Sequence, residues 1–432
     1  MALTTTEAPA SANASQSALT AEQIRTVVEE ELARTQFIDI HTHLFMPSLG
    51  KLGLWGIDEL ITYHYLEAEL FRFSPTTPAE YWSLSKEQQA DLIWRTLFVE
   101  NTPISEATRG VIAVLNAFGL DTCAKDLTEA RNFFCKQELA AHIRRVFELA
   151  GISEAVMTND PLDPVEAQIW KQNPDVDKQF HAVMRLDRIL DNWAEHWNVL
   201  SAEGYKVDAS LGGESIKEVR RFLADWVKRM KPVYMACSLP DTFVYPEDSS
   251  RGRLLQQAVI PSCAEANIPL SLMIGPRRQV NPAIKLAGDG VGKADLRSLE
   301  HICAEFPNNR FLASILSREN QHEFCVYARK FGNLLPFGCW WFLNNPSIVE
   351  EITRERIEML GSSFIPQHSD ARVLEQVIYK WRNTRRTMAP ILASTFKTLS
   401  DDGRPVTRAD IKGDINRFFR TNFERFVNLS SR

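Results

Sequence analysis

Two histidines one residue apart close the apolar segment "FIDIHTHLF", which runs from Phe37 to Phe45. If this segment is a β-strand, side chains two residues apart point to the same face, so His41 and His43 project together. Two neighbouring imidazoles are suitable ligands for a divalent metal ion. The alternative is a pair of ordinary histidines in a turn. An isolated H-x-H pair is a weak signal, so the rest of the chain has to decide.

Polar or aromatic residues also stand at the ends of other apolar segments. They are Asp160, Arg185, Asp241, Trp340, Trp341, Asp370 and Arg372. These residue types can hold a metal ion, bind an anion and move protons. Each has a structural alternative: Asp160 and Asp241 suit helix N-caps, and Arg185 can pair with Asp187. The N-cap explains Asp160 at least as well, but chance explains the whole set poorly.

Eight apolar segments are each followed by a helix-like segment. They span residues 37–44, 154–160, 180–187, 232–239, 269–275, 309–316, 334–342 and 363–370. Near-continuous apolar strands that alternate with helices are typical of a parallel sheet buried on both faces. Eight such units predict an α/β fold of the (β/α)8 barrel type, which carries its chemistry at the C-terminal strand ends. An open doubly wound sheet is the alternative, but the sequence has no glycine-rich phosphate loop.

The rest of the chain predicts a tail and an insertion around this barrel. Residues 1–19 are rich in Ala, Ser and Thr and predict a disordered tail without the features of a signal peptide. Thr20 and Gln23 have the spacing of a capping box that begins a helix. Amphipathic helical patterns fill residues 56–147. We therefore expect a single barrel domain over residues 20–432, with a helical insertion after the first strand.

Composition excludes several classes of partner. The 432 residues carry a net charge of −6 without a basic block, which argues against nucleic acid. No apolar run is long enough for a membrane helix. The seven cysteines form no C-x-x-C pairs, which favours reduced, mostly buried thiols in a cytoplasmic protein. The arginine-rich segment "KWRNTRRTM", residues 380–388, predicts a solvated helix face.

Six motifs in order resemble the uronate isomerase (glucuronate isomerase) family of the amidohydrolase superfamily. The matching residues are His41-Thr42-His43, His64-Tyr65, Arg185, Asp241, Trp340-Trp341-Phe342 and Asp370-Ala371-Arg372. The resemblance extends over about residues 36–430. The chain departs from the family pattern at Met273 and Thr242, where the family usually has histidines. The resemblance implies a barrel of the metal-dependent amidohydrolase type.

The resemblance also implies a cofactor and a reaction. One divalent metal ion, expected to be Zn²⁺, would be bound by His41, His43 and Asp370, with an open position for substrate or water. His368 is a candidate fourth ligand or, as we favour, a residue that orients Asp370. The reaction would be aldose–ketose isomerisation of a hexuronate, from glucuronate to fructuronate or from galacturonate to tagaturonate. The partner is then a small-molecule sugar acid, and a homo-oligomer is expected.

The same resemblance suggests a role for each site residue in moving a proton between C2 and C1. Asp370, or a hydroxide held beside it by the metal, is the first candidate for the base. Tyr65 and His64 are candidates for proton transfer at the oxygens. Arg185 and Arg372 would bind a carboxylate or an oxyanion. Asp241 would hold a sugar hydroxyl or the water on the metal, and Trp340 and Trp341 either line the sugar site or pack in the core.

Two other functions are compatible with the sequence. A metal-dependent hydrolase or decarboxylase could use the same scaffold. A non-catalytic relative that only binds sugar acids is the third reading, and Met273 is the residue that supports it. The His64-Tyr65 pair favours the isomerase over the hydrolase.

Overall fold

The computed structural model describes residues 17–429 of the chain. Residues 1–16, which make up most of the predicted tail, lie outside the described residues. Helix α1 (Ala21–Arg34) begins where the sequence predicts, because Thr20 accepts a hydrogen bond from the Gln23 backbone and the Gln23 side chain accepts one from Thr20. The predicted capping box is therefore confirmed.

Seven parallel strands form one curved sheet that builds most of a barrel. They are β1 (Phe37–Thr42), β2 (Ile152–Asn159), β3 (Phe180–Arg185), β4 (Met235–Leu239), β5 (Leu270–Ile274), β8 (Phe311–Ile315) and β9 (Leu334–Pro336). Their order in the sheet is β1-β2-β3-β4-β5-β8-β9, and every neighbouring pair is parallel. Strands β6 (Pro276–Arg277) and β7 (Gly290–Val291) form a separate antiparallel hairpin. Consecutive parallel pairing with helical connections is the topology of a (β/α)8 barrel.

The eighth segment of the barrel is irregular, so the strand predicted over residues 363–370 is wrong as a regular strand. Ile365 alone pairs with the end of β9, where the Gly338 N–H donates to the Ile365 carbonyl at 2.8 Å. On the other side, the Asp370 N–H donates to the His41 carbonyl at 3.1 Å. A proline at position 366 and a φ of +49° at Asp370 prevent continuous strand pairing between these points. The segment still joins β9 to β1 and closes the predicted barrel.

Helices surround the barrel and fill the connection between β1 and β2. The further α-helices are α2 (Ile57–Ile61), α3 (His64–Phe73), α4 (Pro78–Ser83), α5 (Lys86–Trp94), α6 (Glu106–Ala117), α7 (Thr128–Phe134), α8 (Leu139–Ala150), α9 (Pro164–Lys171), α10 (Asp187–Asp191), α11 (Trp193–Ala202), α12 (Ser215–Met230), α13 (Ser250–Leu254), α14 (Ile260–Glu265), α15 (Arg297–Glu305), α16 (Gln321–Lys330), α17 (Pro346–Leu360), α18 (Gln376–Asp401), α19 (Arg408–Asn416) and α20 (Asn422–Phe426). Helices α2 to α8 lie between β1 and β2, whereas the division of the chain into one domain with an insertion stays a prediction. None of the helices described is both long and apolar enough to cross a membrane.

Shorter helical segments complete the backbone. Four have the 3₁₀ form, at Pro47–Leu52, Pro282–Gly288, Arg318–Asn320 and Trp341–Leu343. Three have the π form, at Arg95–Val99, Leu255–Val259 and Arg417–Thr421. All seven cysteines are free thiols, and five of them are buried, as the sequence predicts.

The ends of α1 and α8, which lead into β1 and β2, are held by a half-buried arginine on α18. Arg385 donates hydrogen bonds to the carbonyls of Ala150 and Gly151, at 2.7 and 2.8 Å, and to the carbonyl of Leu32 at 3.1 Å. These carbonyls end α8 and α1, where no intrahelical donor remains for them. The predicted solvated face is therefore wrong at Arg385, because this face of α18 packs against α1 and α8.

Replacing Arg385 by lysine should destabilise the protein. Lysine carries its donors on one nitrogen and cannot reproduce the planar fork that serves several carbonyls, so we expect a loss of about 2 kcal/mol. Chemical denaturation followed by circular dichroism measures the change. The matched control is Arg386→Lys, whose side chain is exposed and should change stability by less than about 0.5 kcal/mol. Equal midpoints for the two variants would contradict this role of Arg385.

Candidate active site

Three potential metal ligands converge at the C-terminal end of the barrel. The Nε2 atom of His43 lies 3.3 Å from Oδ1 of Asp370, and the Nε2 atom of His41 lies 3.7 Å from the same oxygen. One ligand atom from each residue lies within 4.8 Å of the others. The first and last segments of the barrel are neighbours in space, so residues more than 300 positions apart in sequence meet here. The structure thus brings together the three residues that the sequence singles out for metal binding.

Two local irregularities of the backbone place these side chains. The pairing of β1 with β2 shifts between Asp39, opposite Ala155, and Thr42, opposite Met157, so β1 carries one extra residue there. Such a bulge re-aims side chains and is common next to active sites. On the opposite side, Asp370 has a φ of +49°, a left-handed conformation that residues other than glycine adopt at a cost. The simple alternation of a regular strand therefore does not describe how the histidines reach the site.

A tyrosine hydroxyl fixes the tautomer of His41. Tyr234 donates its hydroxyl proton to the Ile40 carbonyl at 2.8 Å. The same oxygen lies 3.0 Å from Nδ1 of His41, so it accepts the proton that Nδ1 carries. Nε2 of His41 then has a free lone pair on the side of Asp370.

A threonine hydroxyl does the same for His43. Thr158 donates to the Thr42 carbonyl at 3.0 Å, and its oxygen lies 2.9 Å from Nδ1 of His43. Nδ1 of His43 therefore carries the proton and donates it to Thr158. Both imidazoles thus present unprotonated Nε2 atoms to one carboxylate, which is the orientation that metal-bound histidines need.

The electrostatics of the group fit a bound cation. Burial lowers the pKa of His41 to about 3, and burial followed by the charge of Arg372 lowers the pKa of His43 well below its usual range. Both rings are therefore neutral near pH 7. Oδ1 of Asp370 has no hydrogen-bond partner among residues 17–429, although it is buried. The lone pairs on the two Nε2 atoms and on Oδ1 of Asp370 repel one another. A divalent metal ion that binds all three atoms would remove this repulsion.

Charged and aromatic side chains line the cavity around this group. Its walls include Arg185, Asp187, Met273, Arg278, Trp340, Trp341 and Arg372. Arg185 donates through Nε to Asp187 at 3.0 Å, as the structural alternative in the sequence predicted. The charge of Asp187 raises the pKa of Arg185, which stays protonated. Trp340 and Trp341 are buried and line the cavity, so core packing and a place in the site occur together.

Other predicted residues lie beside this cavity and do not line it. The ring of His64 is 5.8 Å from the ring of Trp341, and Tyr65 packs against His64 at 4.6 Å between ring centroids. Asp241 lies farther along, with Oδ2 3.7 Å from Nε of Arg277. Their catalytic roles stay predictions.

His368 and Asp160 also have defined places. His368 is buried with its ring 5.2 Å from that of His41, and neither of its nitrogens has a hydrogen-bond partner within the described part of the chain. It is not one of the three residues that converge. Asp160 is not a helix N-cap: it accepts from the Leu162 N–H at 2.8 Å and pairs with Arg188 at 3.1 Å. The cap of α9 is Asp163, because the helix begins at Pro164.

The sequence missed three residues of this site. Tyr234 lies inside a predicted strand and has no neighbouring motif, although an isolated tyrosine in a buried strand needs a hydrogen-bond partner. Thr158 precedes the polar end of its strand without any marker. Arg278 follows β6 and stacks on Trp341, with its guanidinium carbon 5.5 Å from the ring centroid. Its position in "IGPRR" after the fifth strand is the one signal that pointed to it.

Removing the two orienting hydroxyls should weaken metal binding. In Tyr234→Phe and Thr158→Val, the histidine Nδ1 protons lose their acceptors, so we expect the affinity for Zn²⁺ to fall about 10- to 100-fold. Competition with a metal-sensitive dye measures the affinity. Tyr205→Phe, which removes a hydroxyl bonded to Asp225, is the control and should bind like the wild type. Unchanged affinity in both orienting variants would contradict the assignment of the histidine tautomers.

Comparison with known proteins places the fold and the family. No family model and no curated protein matches the chain. A solved structure of a uronate isomerase from Bacillus halodurans is 47% identical, covers 96% of this chain and 99% of its own, and has a TM-score of 0.93. A uronate isomerase from Thermotoga maritima (16% identity, 94% and 97% coverage, TM-score 0.74) and a glucuronate isomerase from Caulobacter crescentus (13% identity, 98% and 98% coverage, TM-score 0.68) share the fold. Near-complete coverage at 47% identity shows that the chain belongs to the uronate isomerase family.

Proposed function

We propose that this protein is a metal-dependent aldose–ketose isomerase that acts on a hexuronate, such as glucuronate or galacturonate. The observation that carries the proposal is full-length similarity to the uronate isomerase of Bacillus halodurans, combined with the His41–His43–Asp370 group at the barrel mouth. The homo-oligomer expected from the resemblance stays a prediction.

His41, His43 and Asp370 are the residues that would hold the metal ion. Two imidazole nitrogens and one carboxylate oxygen match the donors of catalytic zinc sites, which supports Zn²⁺ as the ion. When bound, such an ion supplies Lewis acidity towards the oxygens of a sugar acid. His368 is outside the converging group and its ring packs against that of His41, and its role in orienting Asp370 stays a prediction.

The carboxylate of Asp370 is the proposed base. Isomerisation removes the proton from C2 and returns one to C1, while the hydroxyl proton at O2 is lost and O1 gains one. Asp370 uses Oδ1 towards the two histidines, which leaves its second oxygen to take the proton from C2 and deliver it to C1. A single carboxylate between neighbouring carbons is enough for both transfers.

Tyr65 and His64 are proposed to transfer protons at the two oxygens. Burial raises the pKa of Tyr65 well above its usual range, so the phenol begins as a proton donor. Burial, followed by the charge of Arg372, lowers the pKa of His64, so the ring is neutral and would first accept a hydrogen bond from a substrate hydroxyl. Nε2 of His64 is buried and has no hydrogen-bond partner among the described residues, and its ring packs against Trp341 of the cavity wall, which supports this proposed contact.

Arginines on two sides of the cavity are proposed to bind the substrate carboxylate. Arg185 uses only Nε for Asp187, so its two terminal nitrogens remain for a planar anion. Arg372 lines the same cavity two residues after Asp370. Asp241, beside Arg277, is proposed to bind a more distant sugar hydroxyl.

Proton NMR in D₂O tests the reaction directly. Incubation of the zinc-loaded protein with glucuronate, and separately with galacturonate, should produce the ketose and introduce deuterium at the carbon that exchanges its proton. The hydrolase and binding-only alternatives predict neither result. If neither sugar acid gives a ketose or exchanges a C2 proton, the isomerase proposal fails.

The variant Asp370→Asn should abolish isomerisation and lower zinc binding. The amide has no negative charge, is a poor base and cannot balance the metal charge, so we expect activity to fall at least about 10³-fold. Initial rates and zinc content by elemental analysis are the measurements. Asp402→Asn, an exposed position after α18, is the control and should retain both. Full activity in Asp370→Asn would reject the base and the ligand assignment together.

A further inference from the structure

We infer that Asp39 is a positioning residue for the metal centre, because its carboxylate holds the backbone that carries Asp370. The inference rests on the proposed metal site and is independent of the identity of the sugar acid. The carboxylate of Asp39 touches none of the three converging side chains.

The carboxylate of Asp39 is fully buried and is bonded on both oxygens. Oδ1 accepts a hydrogen bond from the Ser369 N–H at 3.0 Å, and Oδ2 accepts one from the Trp381 indole at 2.8 Å. A buried carboxylate is costly unless such donors compensate it. An apolar residue at this outward-facing position of β1 would pack against α18 without that cost. The Ser369 hydroxyl and the His41 backbone N–H also interact with this carboxylate, so the position holds an acid for the sake of these donors.

One of these contacts replaces the strand pairing that the eighth barrel segment lacks. Three consecutive N–H groups donate in three different ways: Ser369 to Asp39, Asp370 to the His41 carbonyl at 3.1 Å, and Ala371 to the Ser369 hydroxyl at 3.1 Å. Only the middle contact resembles strand pairing. The side chain of Asp39 thus accepts the hydrogen bond from Ser369, which directly precedes Asp370, the residue with the left-handed backbone.

This contact bears on the metal centre because Asp370 is in an unfavourable conformation. A φ of +49° at an aspartate is energetically unfavourable and persists only where neighbouring contacts enforce it. The carbonyl of His41 and the side chain of Asp39 come from the strand that also carries the two histidines. The His41 carbonyl and the side chain of Asp39 therefore together hold the backbone at Asp370 to the segment that carries the two histidines.

The second contact makes the role of Asp39 testable. Trp381 packs edge-on against Phe37, with ring centroids 5.3 Å apart, so its indole N–H is fixed. In Asp39→Asn one oxygen becomes an NH₂ group, which would face either the indole N–H or the Ser369 N–H. Combining Asp39→Asn with Trp381→Phe removes the indole donor, so the remaining oxygen can stay with Ser369. If Asp39 contributed only to packing, the losses of zinc affinity in the two single variants would add in the double variant.

The experiment titrates the metal-free proteins with Zn²⁺ and with Co²⁺, whose visible spectrum reports ligand geometry. We expect Asp39→Asn to bind Zn²⁺ at least about tenfold more weakly and to change the Co²⁺ spectrum. Trp381→Phe alone should bind within about threefold of wild type, and the double variant should recover most of the lost affinity. Thermal midpoints of the same metal-free proteins record stability separately.

Two results would overturn the inference. One is wild-type zinc affinity in Asp39→Asn, and the other is a double variant that loses the sum of the single losses. If Asp39→Asn does not fold, Asp39→Glu replaces it: the longer side chain keeps the charge but shifts Ser369, so weaker metal binding is expected and wild-type affinity counts against the role. Failure of the proposed metal site is recognised separately, because wild type and Asp370→Asn would then bind Zn²⁺ equally.

Discussion

The candidate site depends on one electrostatic constraint: two imidazole lone pairs converge on a carboxylate oxygen that has no hydrogen-bond partner within residues 17–429. Nε2 of His43 lies 3.3 Å from Oδ1 of Asp370, and Nε2 of His41 lies 3.7 Å from it. Protonation of a ring would relieve the repulsion, but burial lowers the pKa of both histidines and their Nδ1 protons are already donated to hydroxyls. A positive ion placed among the three atoms would satisfy all of them, which supports this group as a metal site.

This arrangement depends on two irregular elements of the barrel, strand β1 and the eighth segment. A one-residue bulge in β1 turns the histidine pair, and a left-handed residue turns the carboxylate towards them. Regular strands would bring the same residues to the same end of the barrel, but with side chains set by simple alternation. The hydrogen bonds of Asp39, Tyr234 and Thr158 surround these irregular points. These buried polar groups therefore stabilise a backbone geometry that regular strand pairing does not produce.

The parts of the structure that follow from hydrophobic pattern could be predicted from the sequence, and the parts that depend on long-range geometry could not. Seven of the eight predicted segments contain a strand, and only β2 extends beyond its segment, by two residues, because buried parallel strands are short and continuously apolar. The three residues that converge could be predicted because H-x-H and D-x-R are compact motifs after apolar segments. Tyr234 and Arg385 were missed or misread, because their roles depend on which hydroxyl or carbonyl the fold brings near, and no local pattern records that. The irregular eighth segment was missed for a similar reason: its polar residues follow an apolar start, and the positive φ of Asp370 has no signature in sequence.

Charge balance around the site explains why the cavity suits an anionic ligand in addition to a metal ion. Burial opposes ionisation of Asp187, but the adjacent charge of Arg185 outweighs it and lowers the pKa of Asp187, so that pair is internally neutral. Arg278 is likewise paired with Asp289 at 2.6 Å. A divalent ion bound by neutral histidines and one carboxylate would leave a net positive charge of one, and Arg372 adds a second. A substrate that brings a carboxylate near Arg372 and oxygen atoms near the metal ligands reduces both excess charges at once, which a neutral sugar cannot do.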